Sequence, residues 1–386
     1  MAGPLEGIRV LEMASVISGP YAGMLLADLG ASVIKVEMPG TGDVFRLWEG
    51  DYTQIRPYFA AYNRGKRSVT VDIRTGEGRA AYLRLASESD VLIENFRPGT
   101  LDRYSIGYEA VREVAPAIVY CSISGMGAEG PYRDRPVYDA IAQALSGLWS
   151  QLTDMANPEP VGPAICDQLT SLYAVNGIMA ALVRRSITGE GQQLQTSMLA
   201  AAMAFQTVPI ADYSMEGKVA DKWSRPRRSL SFAFVAADGQ PFAIHLSTPH
   251  KFWAGLLAAA GMPELADDPR FADKAARIRH YDELRELLAG AFRERPRQEW
   301  LARLTEHDVP CAPINTIAEA MADPQVRFAH LIRSFGLPGR TADLAGFPVG
   351  FSATPCQPGL PPPRAGEHTH EILEQADASA DHDVAG

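Results

Sequence analysis

Over its first third the chain alternates short apolar blocks with longer stretches whose apolar residues recur at helical spacing. Ile8–Met13 is such a block, and Gly19-Pro20 then opens a helical stretch, Tyr21–Leu29, closed by Gly30. Ser32–Glu37, Ser68–Ile73, Asp90–Phe96 and Ala117–Ser124 read as further strands. Thr75–Ser87 and the segment near Tyr108–Val114 read as the helices between them. Strands alternating with helices predict a mostly parallel, doubly wound sheet. Ligands of such sheets sit at the carboxyl ends of the strands, which here carry Glu37, Asn95 and Gly125.

Helical patterning dominates from Asp139 to Arg185 and again over Leu194–Gln206. The texture then changes. Ser229–Val235 and Pro241–His245 flank Asp238-Gly239, a strong hairpin signal. Helices are predicted at His250–Ala260, Tyr281–Phe292 and Pro296–His307. The fold class is therefore α/β: a Rossmann-like large domain over 1–205, a linker over 206–228, and a smaller α+β domain over 229–309. The segment 310–386 returns to the first domain. It holds a helix at Thr316–Met321, a Gly- and Pro-rich extended stretch through Pro361-Pro362-Pro363, a last helical turn at His370–Glu374, and a frayed tail, Ala376–Gly386.

Composition narrows the function. With 46% hydrophobic and 21% charged residues the chain has the makeup of a globular protein. A net charge of −10 argues against a nucleic-acid surface, while leaving room for a local basic patch. Cys121, Cys166, Cys311 and Cys356 are far apart and form no CxxC pair, so neither a disulfide framework nor a zinc site is expected. Reduced thiols fit a cytoplasmic protein. Neither a signal peptide nor an apolar run of the ~18–20 residues that span a membrane is expected.

The loop after the first strand, SVISGPYAG, lacks GxGxxG, so Glu37 reads as a strand-end residue rather than a ribose ligand. Basic residues gather at Asn63-Arg64-Gly65-Lys66-Arg67 and at Asn95-Phe96-Arg97-Pro98-Gly99, with Arg103 a turn later. Such clusters suit phosphate oxygens, although a solvated face is the plainer reading. The histidines are scattered without metal-ligand spacing, and there is no GxSxG elbow. Asp167 is the sharpest residue. It follows the apolar run VGPAIC and precedes a helix over Gln168–Arg185, so its plain role is an N-cap. A capping carboxylate is also a positioned one. The helix dipole should keep it ionised, and apolar neighbours should strip its water, as a nucleophile in acyl transfer requires.

The motifs PLEGIRVLE, GPYAGMLLADLGASVIKVE, Gly42-Asp43…Arg46, NRGKRSVTVDI, VLIENFRPGTLDR, SISGMGAEGPY, YDAIAQALSG, AADGQPFAI, EWLARLTEHDVPCAP and GEHTHEIL, in this order, resemble the class III CoA-transferases. That family includes formyl-CoA and carnitinyl-CoA transferases and the 2-methylacyl-CoA racemases, and the resemblance spans nearly the whole chain. It implies that Asp167 matches the family's catalytic aspartate, which forms an aspartyl-CoA thioester. Domain 1–205 would then be the CoA-binding domain. The resemblance implies CoA contacts at Asn95, Phe96, Arg97 and Arg103 and along Val71–Arg74, including Asp72 and Arg74. It also implies an interlocked ring homodimer, with acyl-CoA and a carboxylic acid as substrates and no permanently bound cofactor or metal. Three positions depart from parts of the family. Met38 stands where many transferases carry Arg, Ile17 where the formyl-CoA branch carries Gln, and Tyr138 where the racemases carry a proton-transferring His.

A phenol with a pKa near ~10 is a poor partner for α-proton exchange, which favours CoA transfer over a 2-methylacyl-CoA racemase or epimerase. Tyr138 followed by Asp139 fits the transferases, with Asp139 orienting the aspartyl intermediate. A non-catalytic CoA-binding protein is the third reading, and it leaves Asp167 without a purpose. The acyl pocket is expected from Ile17, Tyr138 and the segment 206–228, where Arg225, Arg227 and Arg228 could pair with a second substrate carboxylate.

Overall fold

The computed structural model describes residues 3–48, 50, 54–247, 250–356 and 359–384, with side chains described to residue 376. The chain forms two compact units. The larger comprises Met1–Trp149, Pro160–Val208 and Ala329–Gly386, and the smaller Ser150–Glu159 and Pro209–Phe328. Among the described residues no helix is long and apolar enough to cross a membrane.

The larger unit is built on β1 (Arg9–Met13), β2 (Ser32–Glu37), β3 (Lys66–Thr70), β4 (Val91–Glu94), β5 (Val119–Ser124) and β6 (Gln192–Ser197). They form one parallel sheet in the order β3-β2-β1-β4-β5-β6. Side-chain alternation assigns each strand residue to one of two cores. Leu11, Met13, Leu92 and Tyr120 point to the face covered by Tyr82, Leu85, Val111 and Ile372. Val10, Val91, Ile93, Val119 and Cys121 point to the face covered by Leu26, Ala174 and Ile178. The strand order reverses between β1 and β4, and the loops after these two strands open a crevice at their carboxyl ends.

Several elements differ from their sequence expectations. β6 takes the first four residues of the expected helix Leu194–Gln206. Ser197 ends the strand and caps the following helix, Met198–Phe205, by accepting from the Ala200 amide. β3 starts at Lys66 rather than Ser68, because Lys66 is buried and charge-paired inside the sheet. The expected linker contains two helices, Thr207–Glu216 and Ser224–Ser229. The Gly- and Pro-rich stretch hides an antiparallel hairpin, β10 (Ile332–Leu337) and β11 (Arg340–Ala345), turned at Gly339 with φ +75°. The last helix runs from Thr369 to Val384, so the segment expected to fray is helical over most of its length. Residues 385–386 lie outside the described residues.

The C-terminal segment packs back on β3. The His368 amide donates to the Ser68 carbonyl, and the Thr70 amide donates to Thr369 Oγ1. In the smaller unit, β7 (Ser231–Val235), β8 (Pro241–His245) and β9 (Cys311–Pro313) form an antiparallel sheet, with the expected hairpin across Asp238-Gly239. It packs against an aromatic core that includes Phe242, Phe271, Phe292 and Trp300.

Candidate active site

The crevice between β1 and β4 holds a cavity of about 240 Å³ lined by Ser15, Val16, Ser18, Asn95, Phe96, Arg97, Gly125, Arg133, Arg135, Tyr138 and Asp167, among others. The sheet thus delivers Asn95 and Gly125 where the strand pattern expected them. It does not deliver Glu37. That carboxylate is buried and takes a two-pronged bond from Arg46, at 2.7 and 2.8 Å, together with a bond from the Ser68 hydroxyl. Burial opposes its ionisation, but Arg46 outweighs it and holds the pKa below the usual glutamate value.

Asp167 is not an N-cap. The long helix begins at Ile165, after Ala164, so Asp167 is its third residue. Its amide is capped by Asp139, whose Oδ1 accepts at 3.0 Å. Asp167 is 7% exposed and shares its cavity with the start of another helix, Ser18–Asp28, where the Ser18 N–H and hydroxyl favour its charged form. The Ser171 hydroxyl ties the two helices together by donating to the Ser18 carbonyl at 2.7 Å. The expectation that a helix dipole keeps Asp167 ionised is overturned. Burial, with the Asp139 charge adding, pushes its pKa up to about 7 against the opposing Ser18 bonds. A carboxylate that ionises only near neutrality and sheds little solvation is reactive when charged. Its neighbour Cys166 is buried, and its thiol is pushed up to about 12, chiefly by desolvation.

The loop Ala14–Ile17 sets Ser18 in place. Asn95 bridges it, accepting from the Ser15 amide at 2.9 Å and donating to the Ser15 carbonyl at 2.7 Å and to Ser18 Oγ at 3.2 Å. Gly19 makes this approach possible. A Cβ there would lie 2.3 Å from Ala14 Cβ and 3.4 Å from the Asn95 side chain. The sequence reading misses Ser18, because the Gly19-Pro20 pair beside it draws the helix start past it. A Ser directly before Gly-Pro is the available signal.

Of the residues singled out in the sequence, the cleft brings together Asp167, Tyr138, Asn95, Phe96 and Arg97, with Asp139 behind Asp167. Tyr138 is 68% exposed. Ile17 turns away from the cleft into an apolar cluster with Phe45, Phe59 and Leu337. Val71 is part of the core, and Asp72 pairs with Arg74 at 2.8 Å on the surface just beyond β3. Arg103 is exposed and bonds the Thr100 hydroxyl at 3.3 Å. The basic cluster before β3 is no phosphate cradle. Arg64 is buried against Asp28 at 2.6 Å, and Lys66 against Glu12 at 2.6 Å. In the smaller unit Arg227 and Arg228 are already paired, with Asp282 and Asp212. The cleft's own cations are Arg97, Arg133 and Arg135, none in an ion pair among the described residues.

A parallel sheet of this strand order, with a buried carboxyl and cationic walls at its reversal point, defines a site suited to acyl transfer from an anionic carrier. Residues 5–369 match the model of CoA-transferase family III, and the chain belongs to that family. It is 35% identical to succinyl-CoA:glutarate CoA-transferase of Mus musculus over 96% of this chain and 86% of that protein. It is also 35% identical to succinate–glutarate CoA-transferase of Agrobacterium fabrum, covering 96% and 95% of the two chains. A solved CAIB/BAIF family protein from Brucella suis superposes with a TM-score of 0.87 at 34% identity, over 98% of this chain and 100% of that one. The chain is thus a CoA-transferase enzyme.

Proposed function

We propose that this enzyme moves CoA from an acyl-CoA thioester to a free carboxylic acid through an aspartyl-CoA thioester on Asp167. The single observation that carries this reading is the Asp167 carboxyl, buried at the sheet's reversal point in one cavity with Ser18. Its ionised oxygen attacks the thioester carbonyl, and the C–S bond breaks to give a mixed anhydride and CoA thiolate. The thiolate attacks the aspartyl carbonyl and releases the donor acid, leaving CoA on Asp167. The acceptor's carboxylate attacks that thioester, again giving an anhydride and thiolate. The thiolate then takes the acceptor's acyl carbon and restores the Asp167 carboxylate. Two acyl exchanges between carbonyl centres of similar reactivity replace one direct and difficult exchange.

The Ser18 N–H and hydroxyl suit the oxygen that gains negative charge in each attack. Asp139 holds the Asp167 backbone and so fixes the attack direction. Arg97, Arg133 and Arg135 supply the positive charge that CoA phosphates or a substrate carboxylate need, and Phe96 supplies an apolar wall. Two relatives bear the names of succinate and glutarate, and an acid with two carboxylates fits a cleft with these cations. The interlocked homodimer expected from the family resemblance is part of this reading, and light scattering tests it.

The test of the chemistry is direct. Incubation with succinyl-CoA and hydroxylamine should leave a hydroxamate on Asp167, read by peptide mass spectrometry. Deuterium exchange at a substrate's α-carbon with no adduct would point to racemisation instead, and CoA binding with neither signal to a non-catalytic protein.

A further inference from the structure

Beneath the Ala14–Ile17 loop lies a set of buried charges that the transfer chemistry does not use. Lys35 Nζ donates to Glu12 Oε1 at 2.8 Å and to the Ala14 carbonyl at 2.8 Å, and stands 2.9 Å from Asp43 Oδ2 as an ion pair. Lys66 Nζ donates to the Pro20 carbonyl at 2.7 Å and to Asn63 Oδ1 at 2.8 Å, and stands 2.6 Å from Glu12 Oε2 as an ion pair. The side chains of Glu12, Lys35 and Lys66 are wholly buried. Gly23 leaves room for this; a Cβ there would stand 2.0 Å from Glu12 Oε2.

The two lysines grip Ala14 and Pro20, on either side of the loop, and Asp43 grips its middle. Asp43 Oδ1 accepts from the Val16 amide at 3.1 Å, the Ser15 hydroxyl at 3.1 Å and the Phe45 amide at 2.9 Å. Ser15 Oγ in turn accepts from the Val44 amide at 3.0 Å. Val16, which these bonds hold, has φ +70°. A β-branched residue in the left-handed region is strained and persists only where its surroundings over-determine it. Two residues further on are the Ser18 donors that face Asp167.

We infer that Asp43 is a positioning residue for the transfer reaction, acting through the strained Val16 backbone to hold the Ser18 donors against Asp167. Lys35 completes the device by fixing the second Asp43 oxygen. Without Asp43, Val16 relaxes toward its preferred negative φ, the path of the loop changes, and Ser18 leaves its place. The fold of the sheet does not require this, since Asp43 lies outside β1 and β2. The inference rests on the assignment of Asp167 as the group that attacks.

The test uses the full-length enzyme and a second substitution that removes the strain. Asp43→Asn leaves one acceptor oxygen where two serve now; next to the Lys35 ammonium that oxygen turns to Lys35 and the amide NH2 then faces the Val16 and Ser15 donors. The variant should lower kcat at least tenfold while KM for succinyl-CoA stays within about threefold, and it should speed hydrogen exchange at the amides of residues 15–18. In a Val16→Gly background, where φ +70° costs nothing sterically, the same Asp43→Asn change should lower kcat by less than threefold. An equal penalty in both backgrounds overturns the inference, as does faster exchange at the loop with kcat unchanged. Should Asp43→Asn not fold, Ser15→Ala keeps every charge and removes only the shared hydroxyl. Its kcat loss, expected at threefold to tenfold, must also shrink in the Val16→Gly background. Failure of the underlying assignment gives a different result: Asp167→Ala would then turn over normally, whatever the Asp43 variants do.

Discussion

Asp167 and Asp43 are the same side chain, both buried, within one compact unit, and their environments drive them in opposite directions. Around Asp167, burial and then the charge of another carboxylate, Asp139, both disfavour ionisation, and the pKa rises to about 7. Around Asp43, burial also disfavours the charge, but Lys35 and the amides of Phe45 and Val16 overcome it, and the pKa falls below the usual aspartate value. The difference shows that burial alone does not decide a carboxyl's chemistry; the presence of a fixed counter-charge does. A carboxylate locked to an ammonium is a strut. One with no ion-pair partner among the described residues, poorly solvated beside a helix start, is a nucleophile that has little to lose on reacting.

The strongest way to break this contrast is to neutralise the unpaired member. Asp167→Ala should abolish CoA transfer, by a factor on the order of 10³ or more, while CoA still binds; retained turnover in a steady-state assay removes the assigned role. Asp167→Asn sharpens the contrast through pH. The folded state prefers a protonated Asp167 up to about pH 7, whereas the unfolded chain releases that proton near its ordinary value. Native stability at this site is therefore present below the unfolded pKa and is lost as pH rises toward 7. The amide variant should gain on the native protein between about pH 4.5 and 8, by on the order of 2–4 kcal/mol at the upper end. Urea titrations at the two pH values measure it, and a gain independent of pH contradicts the raised pKa. The same ionisation places the acid limb of the native enzyme's kcat/KM profile near pH 7.

The paired member responds in the opposite sense. Lys35→Met leaves Glu12 and Asp43 buried with one fewer cation, which should cost on the order of 3–5 kcal/mol of stability at pH 7, read as a lowered urea midpoint. Part of that loss should be recovered by combining it with Asp43→Asn, since the second change removes an uncompensated charge. Additive losses would mean that the two side chains do not act as a pair.

How much of this is legible in the sequence follows the same division. The strands show because β1, β2, β4 and β5 carry dense apolar runs, and the hairpin shows through Asp238-Gly239. Asp167 shows because it interrupts an apolar approach to a long helix, and Asn95 and Gly125 because strand ends are where such sheets bind. The ion cluster does not show. Lys35, Glu12 and Lys66 look like the polar alternates of solvent-facing strands, and only three-dimensional pairing reveals that all are buried. Asn63–Arg67 looks like a phosphate site for the same reason, since a basic run reads alike whether its partners are phosphates or the protein's own carboxylates. The sequence misleads on the Asp167 pKa because a helix terminus is visible in it whereas desolvation is not.

The smallest effect separates a cleft cation from one outside the cleft. Both are exposed, but Arg97 lines the cavity beside Asp167, whereas Arg103 lies outside that lining and bonds Thr100 at 3.3 Å. The family resemblance puts both in contact with CoA. A cation on the cavity wall meets a bound anion at shorter range than one outside it, so it contributes more. Arg97→Ala should therefore weaken CoA affinity by about tenfold and Arg103→Ala by about twofold to fivefold, with turnover at saturation nearly unchanged for Arg103→Ala, because its side chain is remote from the reacting carboxyl. Isothermal titration with CoA at low and high salt measures both effects, which should shrink as salt rises because both guanidinium groups are exposed. An Arg103→Ala affinity equal to the native value at low salt removes that residue from the site.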